Sequence, residues 1–202
     1  MKLDLEKDLL QKEIPTNKWL WKDSQPEVIR NTSVDVELPL NEENELVMKK
    51  LIDFVRYSQD PELNVKGKED YLRPAVGLAA PQIGSNTNMF FTRFEWDEET
   101  GDIEEFAMIN TKIIAKSEQI TYLKGGEGCL SVDKDHQGLV PRSYKIKIRG
   151  YDWLTKKTIE LTLRGYQAIV FQHEIEHNVG KLYYDRINKE DPYKLEEDWI
   201  QV

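Results

Sequence analysis

The chain has 202 residues, of which 39% are hydrophobic and 32% are charged, and its formal net charge is -9. This length suits one sizeable core, so we expect residues 1–202 to form a single domain with an N-terminal arm over residues 1–22. The acidic balance argues against direct nucleic-acid binding, which needs clustered Lys and Arg. The absence of an 18-residue apolar run or a signal peptide argues against a membrane partner and predicts a cytoplasmic protein.

Two elements are predicted in the first third of the chain. Residues 1–22 are charged with scattered apolar positions, and we expect a short helix followed by an anchoring aromatic segment at Trp19 and Trp21. From Asn41 to about Gln59 apolar residues recur at helical spacing, and Asn41 is a good N-cap. This pattern predicts an N-terminal helix that packs on the core.

The middle of the chain predicts antiparallel strands. Residues 88–95 and 105–116 are apolar enough for strands, and the acidic residues 97–102 between them are typical of a solvated hairpin tip. Residues 144–149 and 158–163 alternate between polar and apolar, which predicts a second hairpin with one buried face.

Two segments rich in small residues interrupt these elements. Residues 74–84 place one amide, Gln82, among alanines, glycines and prolines, and residues 125–132 place Cys129 among glycines. Small residues let a backbone approach a ligand closely. Cys129 is the single cysteine, which excludes an internal disulfide and makes its sulfur a candidate metal ligand or nucleophile.

The pattern H-E-x-x-H stands at residues 173–177, within a predicted helix that Gly180 can terminate. Residues four apart share one helix face, so His173 and His177 can bind one metal ion, with Glu174 beside it as general acid/base. We therefore expect an α+β fold with antiparallel sheets packed around a central metal-binding helix.

Together, residues 75–82, 127–131 and 172–177 resemble the three signature motifs of peptide deformylases, G-x-G-L-A-A-x-Q, E-G-C-L-S and Q-H-E-x-D-H. The resemblance implies a single catalytic domain that removes the N-formyl group from the N-terminal formylmethionine of newly made polypeptides and releases formate. The long loop over residues 59–73 and the short tail after His177 resemble the Gram-positive-type branch.

The resemblance also implies a role for each motif residue. One divalent metal ion is implied, Fe²⁺ in this family, which Ni²⁺, Co²⁺ or Zn²⁺ can replace. Its ligands are Cys129, His173 and His177. Glu174 is implied as the acid/base, and the Gln82 side chain and the Leu130 backbone N–H as donors to the oxyanion.

The same resemblance implies two sets of substrate contacts. An added peptide strand would pair with the backbone of Val76, Gly77 and Gly128. The methionine side chain would enter an apolar pocket lined by Tyr166, Ile169 and Val170.

Three residues depart from the family pattern. Ala75 replaces the first glycine, Asn178 replaces a leucine and Glu176 replaces an aspartate. The replaced aspartate supports the site through an ion pair, and Arg142 is the candidate partner for the longer Glu176.

The alternative hypothesis is a zinc metallopeptidase of the H-E-x-x-H type. Its third ligand would be Tyr183, a poor zinc ligand, or one of the tail residues Glu190, Glu196 and Glu197. A closed structural metal site would need His136 as fourth ligand. The tail is acidic, so the chain can work near the ribosome but offers no basic docking helix.

Overall fold

The computed structural model describes residues 3–5, 7–97 and 101–202. Its α-helices are α1 (Pro26–Ile29), α2 (Glu42–Gln59) and α3 (Gly165–His177), and its 3-10 helices are Asn17–Trp19, Ala80–Ile83 and Tyr183–Arg186. The strands are β1 (Gly77–Ala79), β2 (Met89–Asp97), β3 (Asp102–Lys116), β4 (Ile120–Tyr122), β5 (Arg142–Ser143), β6 (Lys145–Asp152), β7 (Lys157–Arg164) and β8 (Ile200–Gln201). Residues 98–100 of the predicted acidic hairpin tip lie outside the described residues.

Two sheets surround α3. The larger has the strand order β1-β2-β3-β6-β7 and is antiparallel throughout, so β1 forms one of its edges. The smaller has the order β5-β4-β8, and its β4–β8 pair is parallel. The predicted α+β fold around a central helix is confirmed, with this one parallel pair as the exception. No helix in the described ranges has both the length and the apolar character to span a membrane.

Helix α2 covers one face of the larger sheet. Asn41 Oδ1 accepts the N–H of Asn44 at 2.8 Å, as predicted for an N-cap, and such a cap stabilises a helix by about 1 kcal/mol. Leu51 and Phe54 on α2 are fully buried against β-strand residues such as Phe91. This packing holds β1 and β2 in place beneath the functional cleft.

The N-terminal arm is held by two carboxylates, Asp53 on α2 and Asp60 at the C-cap of that helix. Asp53 accepts the backbone N–H groups of Leu10 and Gln11, and Asp60 accepts the N–H of Leu3 at 2.8 Å. The prediction of a short helix in the arm is wrong. The described residues of the arm before the 3-10 helix Asn17–Trp19 form turns, bends and irregular structure. The physical reason is that these N–H donors bond to aspartates on another element instead of to carbonyls within a helix. The aromatic anchor is confirmed by Trp19, which packs 6.4 Å from Phe54 between ring centroids.

Candidate active site

Helix α3 has one face against the sheet and another toward a cleft. Phe171 packs edge-on against Phe90 and Phe106, with ring centroids 5.4 and 5.5 Å apart. Ile169 and His173 lie two residues to either side of Phe171, about 200° around the helix, and both line the cleft. The sheet contacts of Phe171 therefore direct His173 into the cleft.

The end of α3 is fixed by a Schellman motif. Gly180 has φ +69°, the Lys181 N–H donates to Glu176 O at 2.9 Å, and the Gly180 N–H donates to His177 O at 3.1 Å. A Cβ at Gly180 would lie 2.2 Å from the carbonyl oxygen of Arg30, so only glycine fits. The predicted glycine stop is confirmed, and it locks the turn that carries His177 onto the segment after α1.

Three potential metal ligands converge at the floor of the cleft. One donor atom from each of Cys129, His173 and His177 can be chosen so that all three lie within 4.8 Å of one another. Cys129 Sγ is 3.4 Å from His177 Nε2. Tetrahedral zinc bonds of about 2.0–2.3 Å place neighbouring donors about 3.5 Å apart, so this spacing suits one ion. Cys129 and His177 are both buried, so a metal ion held between them would be largely shielded from solvent on that side.

Glu127 orients the first histidine. His173 Nδ1 lies 2.8 Å from Glu127 Oε2, which leaves Nε2 to face the other donors. Burial lowers the pKa of His173, but the Cys129 sulfur and the Glu127 carboxylate outweigh it and raise that pKa well above its usual value. For His177, burial and the charge of His173 lower the pKa well below its usual value. The Glu127 contact fixes the orientation of the His173 ring, and the lowered pKa keeps His177 in the neutral form that binds metal, whereas His173 must release a proton when a metal binds.

Arg142 connects the Glu127 carboxylate to the end of α3. Its guanidinium is buried and donates to both oxygens of Glu127 at 2.8 Å, and its Nη1 donates to Glu176 Oε2 at 2.5 Å. Arg186 binds the other oxygen of Glu176. The predicted ion pair between Glu176 and Arg142 is confirmed. Although burial opposes ionisation, Arg142 and His173 hold the pKa of Glu127 at about 2.

Sequence reasoning missed Glu127 and Arg186 as supports of the site. Glu127 belongs to the motif at residues 127–131, and its place two residues before Cys129 indicates a charged side chain close to this candidate ligand. Arg186 gave no such signal, because a surface arginine ten residues beyond Glu176 has no spacing that predicts a contact.

Glu174 is an isolated carboxylate beside the donor cluster. Its Oε2 is buried and forms no hydrogen bond within the described ranges, and burial raises its pKa to about 7 against the opposing charge of His173. A Cβ at Gly77 would lie 2.4 Å from Glu174 Oε1. A side chain at position 77 would therefore displace Glu174, and the carboxylate stands against the edge strand β1 with spare capacity to take a proton.

Gln82 is held with its amide NH₂ toward the same cluster. Its Oε1 accepts the N–H of Ala79 at 2.8 Å, and because a backbone N–H can only donate, the oxygen must occupy that side. Its Nε2 therefore faces the Cys129 sulfur at 3.6 Å. Leu130 lines the cleft next to Cys129, and its carbonyl accepts a hydrogen bond from the Lys22 ammonium.

The cleft has a volume of about 200 Å³ and brings together nearly every residue that the sequence singled out. Its lining includes the predicted residues Val76, Gly77, Gln82, Gly128, Cys129, Leu130, Tyr166, Ile169, Val170, His173 and Glu174. His177 is outside this lining and contacts Cys129, with its Nε2 3.4 Å from Sγ. Arg73 and Leu123 also line the cleft, and no sequence pattern predicted them.

The side chains that the alternative hypotheses require as ligands are exposed or engaged in other contacts, although the Tyr183 ring stacks on that of His173 with centroids 6.2 Å apart. The Tyr183 hydroxyl accepts the backbone N–H of His136 at 2.7 Å, and the exposed His136 ring packs against Tyr184 with ring centroids 4.1 Å apart and planes tilted by 32°. The tail residues Glu190, Glu196 and Glu197 are exposed. Among the described His, Cys, Asp and Glu side chains, the group that could hold a metal ion consists of Cys129, His173 and His177, without His136 or the tail glutamates. The arrangement therefore disfavours both the metallopeptidase and the closed structural site.

The family model, the related sequences and the solved structures to which this chain is similar all belong to one family. The family model for polypeptide deformylase matches residues 18–193. Peptide deformylase 2 of Bacillus cereus is 43% identical over 171 residues, which cover 85% of this chain and 90% of that protein. Peptide deformylase 2 of Bacillus subtilis is 42% identical over 174 residues, covering 86% and 91%. The crystal structure of a probable peptide deformylase from Synechococcus phage S-SSM7 has 30% identity and a TM-score of 0.64, covering 83% of this chain and 97% of that one.

Proposed function

The chain belongs to the polypeptide deformylase family, and from that premise we propose which residues carry its reaction. The enzyme hydrolyses the amide between the formyl group and the N-terminal methionine of new polypeptides, so that water and formylpeptide give formate and a free amino terminus. We propose Cys129, His173 and His177 as the ligands of its metal ion. The observation that carries this proposal is the convergence of these donors with Glu174 and Gln82 in one cleft.

The bound ion supplies Lewis acidity toward water and the formyl oxygen. Glu174 accepts the proton of the attacking water and delivers it to the leaving amine nitrogen, and its pKa of about 7 suits both transfers. The Gln82 amide and the Leu130 N–H donate to the oxygen that becomes negative. One such donor typically contributes roughly 3–4 kcal/mol to transition-state stabilisation.

The substrate is proposed to bind as an added strand along the edge of β1. Val76 and Gly77 form one wall beside that edge, and Gly128 lies on the other wall. Ile169 and Val170 are buried apolar residues of the lining, and Tyr166 stands one turn before Val170. These three side chains are proposed to receive the methionine side chain.

Fe²⁺ is the proposed ion, with Ni²⁺, Co²⁺ or Zn²⁺ able to replace it. A thiolate with two imidazoles suits several of these ions, and the family resemblance favours iron. Residues 1–202 are proposed to act as one catalytic domain in the cytoplasm, where nascent chains occur. The acidic residues after Arg186 form no helix in the structure, so contact with the ribosome is proposed without a basic docking helix.

A substrate comparison tests the function. Formyl-Met-Ala-Ser is expected to be hydrolysed far faster than its acetyl analogue, because an extra methyl group crowds the carbonyl carbon. Release of formate is measured directly. Comparable rates for the two peptides, or cleavage of internal peptide bonds, would contradict the proposal and favour a metallopeptidase.

A metal comparison tests the ligands and the ion. Cys129→Ser is expected to bind metal far more weakly, and unchanged metal stoichiometry at limiting metal would overturn the ligand set. Iron, nickel and zinc forms from one apo batch are then followed in air. Ferrous iron and the Cys129 thiolate are both oxidisable, so the iron form is expected to lose activity while the nickel form keeps it. An air-stable iron form, or a zinc form that is the fastest, would exclude iron as the working metal.

A further inference from the structure

The side chain of Arg73 crosses the mouth of the cleft. Its backbone precedes residues 74–76, which lead into β1 on one wall. Its Nη2 lies against Gly128 on the other wall, where a Cβ would be only 2.1 Å away. Its Nη1 lies 3.3 and 3.4 Å from the two carboxylate oxygens of Asp135, on the loop that follows Cys129. One guanidinium thus connects both walls at the mouth of the cleft, where the remainder of a bound peptide would extend into solvent.

Arg73 can exchange its contact with Asp135 for a contact with another carboxylate. Its distances are longer than the usual 2.7–3.2 Å of an N–H···O hydrogen bond. The two side chains are 54% and 51% exposed. Ion pairs this exposed typically contribute about 0–1 kcal/mol, so another carboxylate can replace Asp135 at little cost.

The register of the edge strand indicates which part of a substrate meets Arg73. Gly77 touches Glu174 and therefore marks the reacting end of the cleft. Arg73 is four residues earlier, so its backbone lies at most about 14 Å from Gly77, and its guanidinium reaches back to Gly128. An extended peptide with its formyl group beside Glu174 therefore carries its second or third residue past the guanidinium.

Arg73 differs from the other charged residues of the cleft, because they are paired or buried and it is half-exposed. Glu127 is bound to Arg142 and His173, and Glu174 lies buried at the reacting end. Among the described lining residues, Arg73 is the one basic side chain other than His173. The net charge of -9 on the whole chain repels an acidic peptide. Within the cleft, such a peptide therefore meets its favourable electrostatic contact at Arg73.

We propose that Arg73 determines specificity for the residues after formylmethionine, favouring substrates with an acidic side chain at position two or three. The peptide carboxylate takes the place of Asp135 on the guanidinium. This inference rests on the proposed function, because it assumes that formylated peptides bind along β1.

The test uses metal-loaded protein and formyl-Met-Ala-Xaa-amide and formyl-Met-Xaa-Ala-amide peptides, with Asp, Asn or Lys as Xaa. The amide removes the terminal carboxylate, which would otherwise compete for Arg73. In the natural chain kcat/KM for Asp is expected to exceed that for Lys about fivefold in one of the two series, consistent with a half-exposed charge pair. Arg73→Ala is expected to bring this ratio close to one, Arg73→Glu to invert it, and Asp135→Asn to increase it.

The control is Arg149→Ala, which removes an equal charge from the exposed face of β6 and should leave the Asp/Lys ratio unchanged. Calorimetric binding of Met-Ala-Asp-amide and Met-Ala-Lys-amide to the same proteins gives the comparison without turnover. An equal loss on all peptides in Arg73→Ala, or a ratio that Arg73 variants do not move, would overturn the inference. Absence of formate release from formyl-Met-Ala-Ser-amide would instead overturn the proposed function.

Discussion

His173 Nδ1 lies 2.8 Å from Glu127 Oε2, and this contact ties the metal-binding helix to the segment that carries Cys129. One carboxylate thereby joins two distant segments of the chain, each of which carries a potential ligand. Because Arg142 binds both oxygens of that carboxylate, Glu127 cannot turn away from the site without breaking two hydrogen bonds of a buried guanidinium, which among the described residues would keep only its contact with Glu176.

Glu127→Gln is expected to weaken metal binding by about 10–100-fold, since the amide can still accept from His173 but lacks the charge that raises the ligand's basicity. Affinity is measured by competition with a chromophoric chelator, with circular dichroism to show that the fold is kept. Glu118→Gln, an exposed change before β4, is the control. A metal affinity equal to that of the control would show that the carboxylate has no supporting role.

Glu174→Gln is expected to retain metal and peptide binding and to lose about 10²–10⁴-fold in kcat, because the amide cannot accept the proton of water. Metal content and product-peptide affinity are measured on the same preparation. Glu160→Gln on the exposed face of β7 serves as control. If Glu174→Gln lost its metal instead, Glu174 would be a ligand and not a proton carrier.

Gly77→Ala is expected to reduce kcat/KM by at least about tenfold while metal content stays unchanged. The new methyl group would stand 2.4 Å from Glu174 Oε1, and the buried carboxylate has to turn away from the cleft. Gly125→Ala is a matched control, because nothing lies within 4 Å of a Cβ there. Equal activity of the two variants would mean that Glu174 has room to move without consequence.

Asp60→Asn is expected to lower the free energy of unfolding by about 1–2 kcal/mol at pH 7, because the amide nitrogen cannot accept the Leu3 N–H. Although burial opposes it, hydrogen bonds from Leu3, Leu63 and Glu62 lower the pKa of Asp60 below its ordinary 3.8. The stabilisation is therefore present above pH 3.8 and is lost as the pH falls through the lower folded value.

Urea unfolding of the natural chain and of Asp60→Asn, measured from pH 7 down to pH 3, checks this. The difference should be constant above about pH 5 and shrink below pH 3.8. Asp198→Asn in the exposed tail is the control. A difference that grows on acidification would contradict the assignment of a lowered pKa.

The sequence predicts elements whose signals are local. Helix α2 was predicted from Asn41 to about Gln59 and occupies Glu42–Gln59, because its N-cap and apolar stripe lie within the segment itself. The hairpin of β6 and β7 followed from strict alternation. In the site, His173 and His177 share one helix face by spacing alone, and the motif resemblance added Cys129.

Other features depend on contacts between distant segments. Strands β4 and β8 are three and two residues long and pair across 79 positions, so they have no period to detect. The N–H groups of the arm donate to Asp53 and Asp60. These long-range hydrogen bonds replace the local ones that the predicted short helix would have formed. Arg73 stands across the cleft because of where Gly128 lies, and a single arginine in a polar loop carries no signal of that position.

The order of the cleft's parts along the chain has a consequence for biosynthesis. The wall with Gly77 and Gln82 is translated well before Cys129, and His177 follows 48 residues after Cys129. The three donor atoms coexist only once α3 has been made and its Schellman turn has docked on the residues after α1. Assembly of the three potential ligands is therefore a late event in the maturation of each copy, and a prematurely terminated chain that lacks α3 carries only Cys129 among them.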